Sequence, residues 1–222
     1  MFTPRLFHEA DKDRLHDLID AHSFGVLVAH GMQGGPEISH LPFLLDRGAG
    51  ACGTLRVHVA RANPIWRVAL EGRVVAVFSG PDAYVSARWY ERPNEQVPTW
   101  SYAVVHAHGR AVGPMAPAEL RRLLEDLTAR HEAGSAAPWS MGELEPGLAD
   151  DLARHIVGFT IPIDHLEGKL KIGQNRSPAD RARVQRALEE RGAPADLELA
   201  RLMRDTRDTR DTRDGGAGES SP

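Results

Sequence analysis

Ser23-Phe-Gly-Val-Leu-Val-Ala-His30, Gly31-Met-Gln-Gly-Gly-Pro36 and Glu37-Ile-Ser-His-Leu-Pro-Phe-Leu-Leu45 decide the fold class. In the first stretch Phe24, Val26 and Val28 alternate with smaller residues, the period of a strand. The second is turn chemistry, three glycines ahead of a proline. Ile38–Leu45 reads as a second strand, Asp46–Gly50 as another turn, and Ala51–His58 as a third strand with Cys52 inside it as a small core residue. Strand, turn, strand, turn, strand is an antiparallel meander and lacks the alternation with helices that a doubly wound parallel sheet requires.

Working outward, the spacing of Leu15, Leu18 and Ile19 predicts a helix opening near Asp11. A short helix follows Asn63-Pro64. Arg73–Ser79 reads as a buried strand, Gly80-Pro81-Asp82 as a turn and Ala83–Ala87 as another strand. Glu91–Gln96 is a polar loop and Pro98–Gly113 a long strand. Leu120, Leu123, Leu124 and Leu127 form the apolar stripe of a helix over 116–131. A short helix over 148–155, a strand over 157–166 and two terminal helices, 178–191 and 195–203, complete the reading. About seven strands with helices at start, middle and end fit a mainly β (α+β) chain, a closed or split antiparallel barrel with flanking helices.

The 222 residues suit one domain, expected here over 1–203. From Arg204 the chain repeats Arg-Asp-Thr and ends in Gly215-Gly-Ala-Gly-Glu-Ser-Ser-Pro222. With no apolar residue to bury apart from Ala217, 204–222 is expected to be a disordered tail. Composition, 41% hydrophobic and 26% charged, excludes a fully disordered protein. No run approaches the roughly 18 apolar residues of a membrane span. The opening Met1-Phe-Thr-Pro-Arg5 lacks the pattern of a secretory signal, so the expected compartment is the cytoplasm. A single cysteine excludes an intrachain disulfide. The net charge of −4 argues against a basic nucleic-acid footprint.

Four segments carry candidate chemistry. In His58-Val-Ala-Arg61-Ala-Asn63-Pro64 a strand ends and a helix opens, a place suited to a phosphate, with Arg61 as an added charged donor and Asn63 as a side-chain donor or the helix cap. In Ser39-His40 two polar neighbours face opposite sides of one strand. In Trp100-Ser-Tyr102-Ala-Val-Val-His106-Ala-His108 the even positions share a face, giving an aromatic and imidazole wall that suits a planar ring. His106 and His108 have the spacing of a ligand pair, but no third ligand stands at a telling distance, so no metal is expected. Leu166–Arg176, with Lys169, Lys171, Gln174, Asn175 and Arg176, reads as a polar loop able to hold a phosphate or a polar ring edge. No nucleophile elbow, Walker loop or dinucleotide fingerprint is present.

Several motifs, in register over about residues 1–190, carry a resemblance: Ser39-His-Leu-Pro42, His58-Val-Ala-Arg-Ala-Asn-Pro64, Val77-Phe-Ser-Gly-Pro-Asp-Ala-Tyr-Val-Ser86, Val97-Pro-Thr-Trp-Ser-Tyr102, Val105-His-Ala-His-Gly109 and Lys171-Ile-Gly-Gln-Asn-Arg176. The chain resembles the PaiB family of FMN-binding negative transcriptional regulators. The resemblance implies an FMN-binding split β-barrel, similar to pyridoxamine-phosphate oxidases, and a homodimer with flavin between subunits. It implies FMN phosphate near His58, Arg61 and Asn63, with Ser39 and His40 along the flavin. Trp100 and the loop residues Lys171, Gln174, Asn175 and Arg176 would close the site. The family pattern carries Asn where Ser101 stands and Ser where Gly173 stands. Three functions are compatible: a repressor acting on DNA or through a regulatory protein partner; a flavin-dependent oxidoreductase on a small planar substrate, with haem handling as a variant; and a flavin-free scaffold.

Overall fold

In chain order, the computed structural model contains β1 (His8–Glu9), α1 (Lys12–Ala21), β2 (Phe24–His30), β3 (Pro36–Pro42), β4 (Leu44–Asp46), β5 (Thr54–Ala60), α2 (Ile65–Glu71), β6 (Arg73–Val85), β7 (Thr99–Arg110), α3 (Pro117–Glu132), α4 (Leu148–Ala153), β8 (Ile156–Lys171), α5 (Pro178–Arg191) and α6 (Pro194–Asp214). It describes residues 1–31 and 35–214. Hydrogen-bonded neighbours in the eight-stranded sheet run β3-β2-β6-β7-β8-β5-β4, with β1 on β8. The expected meander is present: β2 pairs antiparallel with β3, with Val26 opposite His40, and β4 with β5, with Leu45 opposite Leu55. The turn expected over 31–36 lies partly outside the described residues. Among the described residues, no helix is long and apolar enough to cross a membrane.

The chain divides into two compact units. One comprises Ala10–Ser79 and Val105–Glu167. Its core gathers Leu27, Phe43, Leu55, Ile65, Phe78, Phe159 and Ile161, with Leu15 and Ile19 of α1. Phe43 meets Phe78 edge to face at 5.3 Å. Asp11 starts α1 by accepting from the Asp13 and Arg14 amides at 3.1 and 3.3 Å. α3 opens on Pro117, and the Glu119 carboxylate accepts from the Ala116 amide at 2.9 Å. Its leucine stripe packs on Leu44 in a second, smaller cluster.

The other unit comprises Met1–Glu9, Gly80–Val104 and Gly168–Pro222. Leu170, Ile172, Val184, Leu188, Leu199 and Met203 are buried in it. Ser177 caps α5 through the Asp180 amide at 3.1 Å, and Gly192, at φ +70°, ends it. Arg191 grips Asp196 at 2.6 Å through its Nε. α6 runs to Asp214 and so enters the repeat that composition assigns to a tail. Met203 and Thr206 are buried, and the Thr206 hydroxyl donates to the Leu202 carbonyl at 2.8 Å. Residues 215–222 of that expected tail lie outside the described residues.

Four expectations are corrected. Ile38–Leu45 is two strands, because the buried Phe43 turns its amide to the Ser23 carbonyl at 2.8 Å. Gly80-Pro81-Asp82 is no turn: β6 runs through it, its buried phase shifting by one residue from Val74, Ala76 and Phe78 to Pro81, Ala83 and Val85. Leu166–Lys171 is strand rather than loop, since β8 extends to Lys171 and its end is paired by β1, His8 opposite Lys169. Cys52 precedes β5 instead of lying in it, and its carbonyl sits 3.0 Å from His16 Nε2.

Candidate functional site

β5 alternates strictly. Leu55, Val57 and Val59 point into the core, so Arg56 and His58 point the other way. His58 lies opposite Gly158 of β8. A side chain on Gly158 would strike Met115 and Leu120, at 2.7 and 2.9 Å from its Cβ, so this glycine admits the roof that α3 lays over the strand. Among the described residues, the buried His58 Nδ1 has no hydrogen-bond partner. Burial pushes the His58 imidazole below its ordinary pKa, because a charged ring loses its hydration there.

Past the end of β5, Arg61 clamps the main chain that leads into β8. Its Nε donates to the Arg154 carbonyl at 2.7 Å and its Nη2 to the Ile156 carbonyl at 2.9 Å. A cleft of about 260 Å³ opens beside it, with Met115, Leu120 and Leu124 as apolar lining and Arg121 and Arg154 at its margin. Arg121 pairs with Asp150, and Arg154 with Asp151. The helix opens just after Asn63 as expected, over seven residues, and Asn63 Oδ1 accepts from the Ile65 amide at 3.0 Å. Asn63 Nδ2 donates to Ser39 Oγ at 3.1 Å.

Ser39 and His40 face opposite sides of β3, as strand geometry requires. Ser39 is half-buried against Asn63, and His40 is exposed and stacked 6.4 Å from Phe24. The His40 face of β2 and β3 is apolar, with Phe24 69% and Ile38 56% exposed.

On β7, alternation places Val104, His106 and His108 on one half-buried face. The third member of this group is one that sequence spacing did not reveal. Glu167 of β8, the neighbouring strand, brings Oε2 to 3.1 Å from His108 Nε2 and 3.8 Å from His106 Nδ1. His165 Nε2 stands 3.7 Å from Glu167 Oε1. Burial lowers the His106 pKa, with Glu167 opposing the shift. Glu167 is 59 residues from His108, so only strand pairing joins them.

In the other unit, Trp100 is exposed and meets Tyr84 edge-on at 6.2 Å. Lys171 Nζ donates to Thr99 Oγ1 at 2.6 Å. Gln174 closes the turn on itself: its Oε1 accepts from the Ile172 amide at 2.8 Å and its Nε2 donates to the Leu170 carbonyl. Both ends of Gln174 are thus used in holding the turn. Arg176 donates to Gln96 Oε1 and lies 4.6 Å from the Tyr90 ring centroid. Asn175 is exposed.

The structure therefore joins Ser39 to Asn63, seats Lys171 on Thr99 beside Trp100, and leaves His40 on the opposite face of β3 from Ser39.

Comparison with known proteins adds three findings. Residues 1–165 match the family model described as "Putative FMN-binding domain". The chain is 32% identical over 207 residues to the protease synthase and sporulation protein PAI 2 of Bacillus subtilis (strain 168), covering 92% of this chain and 97% of that one. Among solved structures it is similar to the flavocytochrome Anf3 of Azotobacter vinelandii (TM-score 0.58, 16% identity, 79% of this chain and 75% of that). It is likewise similar to the FAD and haem binding protein of Mycobacterium smegmatis (TM-score 0.56, 21% identity, 74% and 73%). At these identities the structural likeness shows the fold, a split β-barrel with flanking helices.

Proposed function

The chain belongs to the PaiB family of FMN-binding proteins, and from that premise we propose that it is a flavin-loaded homodimer acting as a negative transcriptional regulator. The near full-length match to the sporulation protein carries this reading. FMN is the cofactor, and when bound it supplies electron and hydride transfer.

The residues present fit such a group. Arg61 is a cation held in place by two main-chain carbonyls, which pre-organises its guanidinium for a phosphate. His58 offers a buried ring nitrogen that has no partner among the described residues, the kind of orphan that a ligand satisfies. Ser39, oriented by Asn63, is a donor for the flavin's polar edge, and His40, on the opposite face of β3, is proposed to serve the flavin of the second copy. Trp100, Lys171, Gln174, Asn175 and Arg176 are proposed to contact the flavin of the second copy. Gln174 also shapes its turn. The partner is a second copy: Phe24, Ile38 and His40 form an exposed apolar face of a kind that marks an interface. Repression works through a protein partner or at modest DNA affinity, since the net charge is −4. The assigned compartment is the cytoplasm.

Desalting after incubation with excess FMN tests the cofactor site. A flavin spectrum that survives at about one FMN per chain is expected, and a colourless protein overturns the reading. Repression is then read from DNA affinity as a function of salt. The second reading, a flavin-dependent oxidoreductase on a small planar substrate, rests on the paired imidazoles His106 and His108 as proton-handling groups. Flavin-dependent NAD(P)H oxidation, lost on substituting either histidine, would favour it. Haem uptake is its variant, suggested by the names of the two structural neighbours.

A further inference from the structure

We propose that His106, His108 and Glu167 form a three-ligand binding site for one divalent transition-metal ion, with Zn2+ as the expected occupant, a fourth position open to water and His165 close beside it. This reverses the metal-free expectation drawn from spacing, and it does not depend on the flavin.

Three observations carry it. First, the donor atoms converge: His106 Nδ1, His108 Nε2 and a Glu167 carboxylate oxygen all lie within 4.8 Å of one another. Donors about 2.0–2.1 Å from a tetrahedral Zn2+ stand about 3.3 Å apart. The 3.1 and 3.8 Å separations from Glu167 Oε2 already bracket that value.

Second, the scaffold is rigid. His106 and His108 are locked to one face by the two-residue period of β7, and Glu167 and His165 share a face of β8 by the same period. Third, the donors are of one chemical kind. Imidazole nitrogen with a carboxylate is the set that zinc and its neighbours prefer over magnesium or calcium.

Exposure suits an accessible site. The side chains of His106, His108 and Glu167 are 24%, 23% and 24% exposed, while His165, at 60%, lies toward solvent. Three partly exposed donors give an ion a route in and leave a fourth position for water. In the metal-free chain His108 Nε2 and Glu167 Oε2 are hydrogen-bond partners at 3.1 Å, a contact that a bound ion would replace.

The test uses the full chain, stripped with chelator and titrated with Zn2+ by calorimetry and with Co2+ by visible absorption. One ion per chain and the d–d bands of tetrahedral Co2+ are expected. His106→Gln, His108→Gln and Glu167→Gln should each weaken Zn2+ by more than about 100-fold, since outer-shell partners alone are worth roughly 10–100-fold. His165→Gln should cost about tenfold, and the exposed control His131→Gln nothing. Should a variant fail to fold, imidazole NMR of the unmodified chain decides: Zn2+ must move the resonances of His106, His108 and His165 and leave His131 unmoved. No binding, equal affinity in all variants, or shifts spread over other histidines would overturn the proposal.

Discussion

Asn63 Nδ2 donates to Ser39 Oγ at 3.1 Å while Asn63 Oδ1 accepts from the Ile65 amide at 3.0 Å, so one carboxamide both opens α2 and fastens it to β3. The segment between β5 and α2, which carries Arg61, is positioned through this side chain. Asn63→Ala removes both bonds, and the lost cap is typically worth about 1 kcal/mol. Urea denaturation should show a drop of about 1–2 kcal/mol, and retained FMN should fall with it. Unchanged stability would mean that Asn63 does not hold the segment.

Arg61 spends two donors on the Arg154 and Ile156 carbonyls. Arg61→Lys keeps the charge and loses the fork. We expect FMN affinity to fall by about tenfold, equivalent to about 1.4 kcal/mol, in equilibrium dialysis. Equal FMN affinity in the two proteins would remove Arg61 from the phosphate site.

His58 gives stability a pH signature. Its folded pKa is lowered by burial, so below its unfolded value the unfolded chain takes up a proton that the native chain refuses. The stabilisation is complete above about pH 6.5 and is lost as pH falls through that value toward the folded pKa, with a slope of at most about 1.4 kcal/mol per pH unit. In flavin-free protein, His58→Gln should flatten the stability curve over that window. A curve parallel to that of the unmodified protein would exclude this role.

Gly109 lets β7 lie close to β8 beside His108. A Cβ there would collide with the Pro162 carbonyl oxygen and lie 2.8 Å from Ile161 Cγ2. Backbone must move to relieve the first of these contacts. Gly109→Ala should therefore destabilise by about 1–3 kcal/mol in thermal or urea melts. It should also weaken metal binding, because His108 shifts relative to Glu167. A neutral substitution would show that the two strands separate more readily than their packing implies.

The local devices are legible in the chain itself. Alternation over Phe24–His30 marks β2, the leucine stripe marks α3, and Asp11 and Asn63 stand where helices need a polar start. Each depends on residues a few positions apart, where backbone geometry alone fixes which side chains meet. The motifs that place the chain in the FMN-binding family are of the same kind, short runs in a set order. Where local rules compete with pairing, pairing wins. Pro81 breaks no strand because it lies where the buried phase of β6 shifts by one residue and beyond the Val74–Val77 pairing with β2, a place that needs no amide hydrogen for that ladder, and Leu166–Lys171 is strand because β1 pairs with its end. The meeting of Glu167 with His106 and His108 had no sequence signal, since nothing in a 59-residue separation encodes a contact of 3.1 Å. Sequence determined the elements and the family; tertiary structure decided which distant side chains share a site, because strand neighbours are chosen by the burial of the whole sheet rather than by any segment alone.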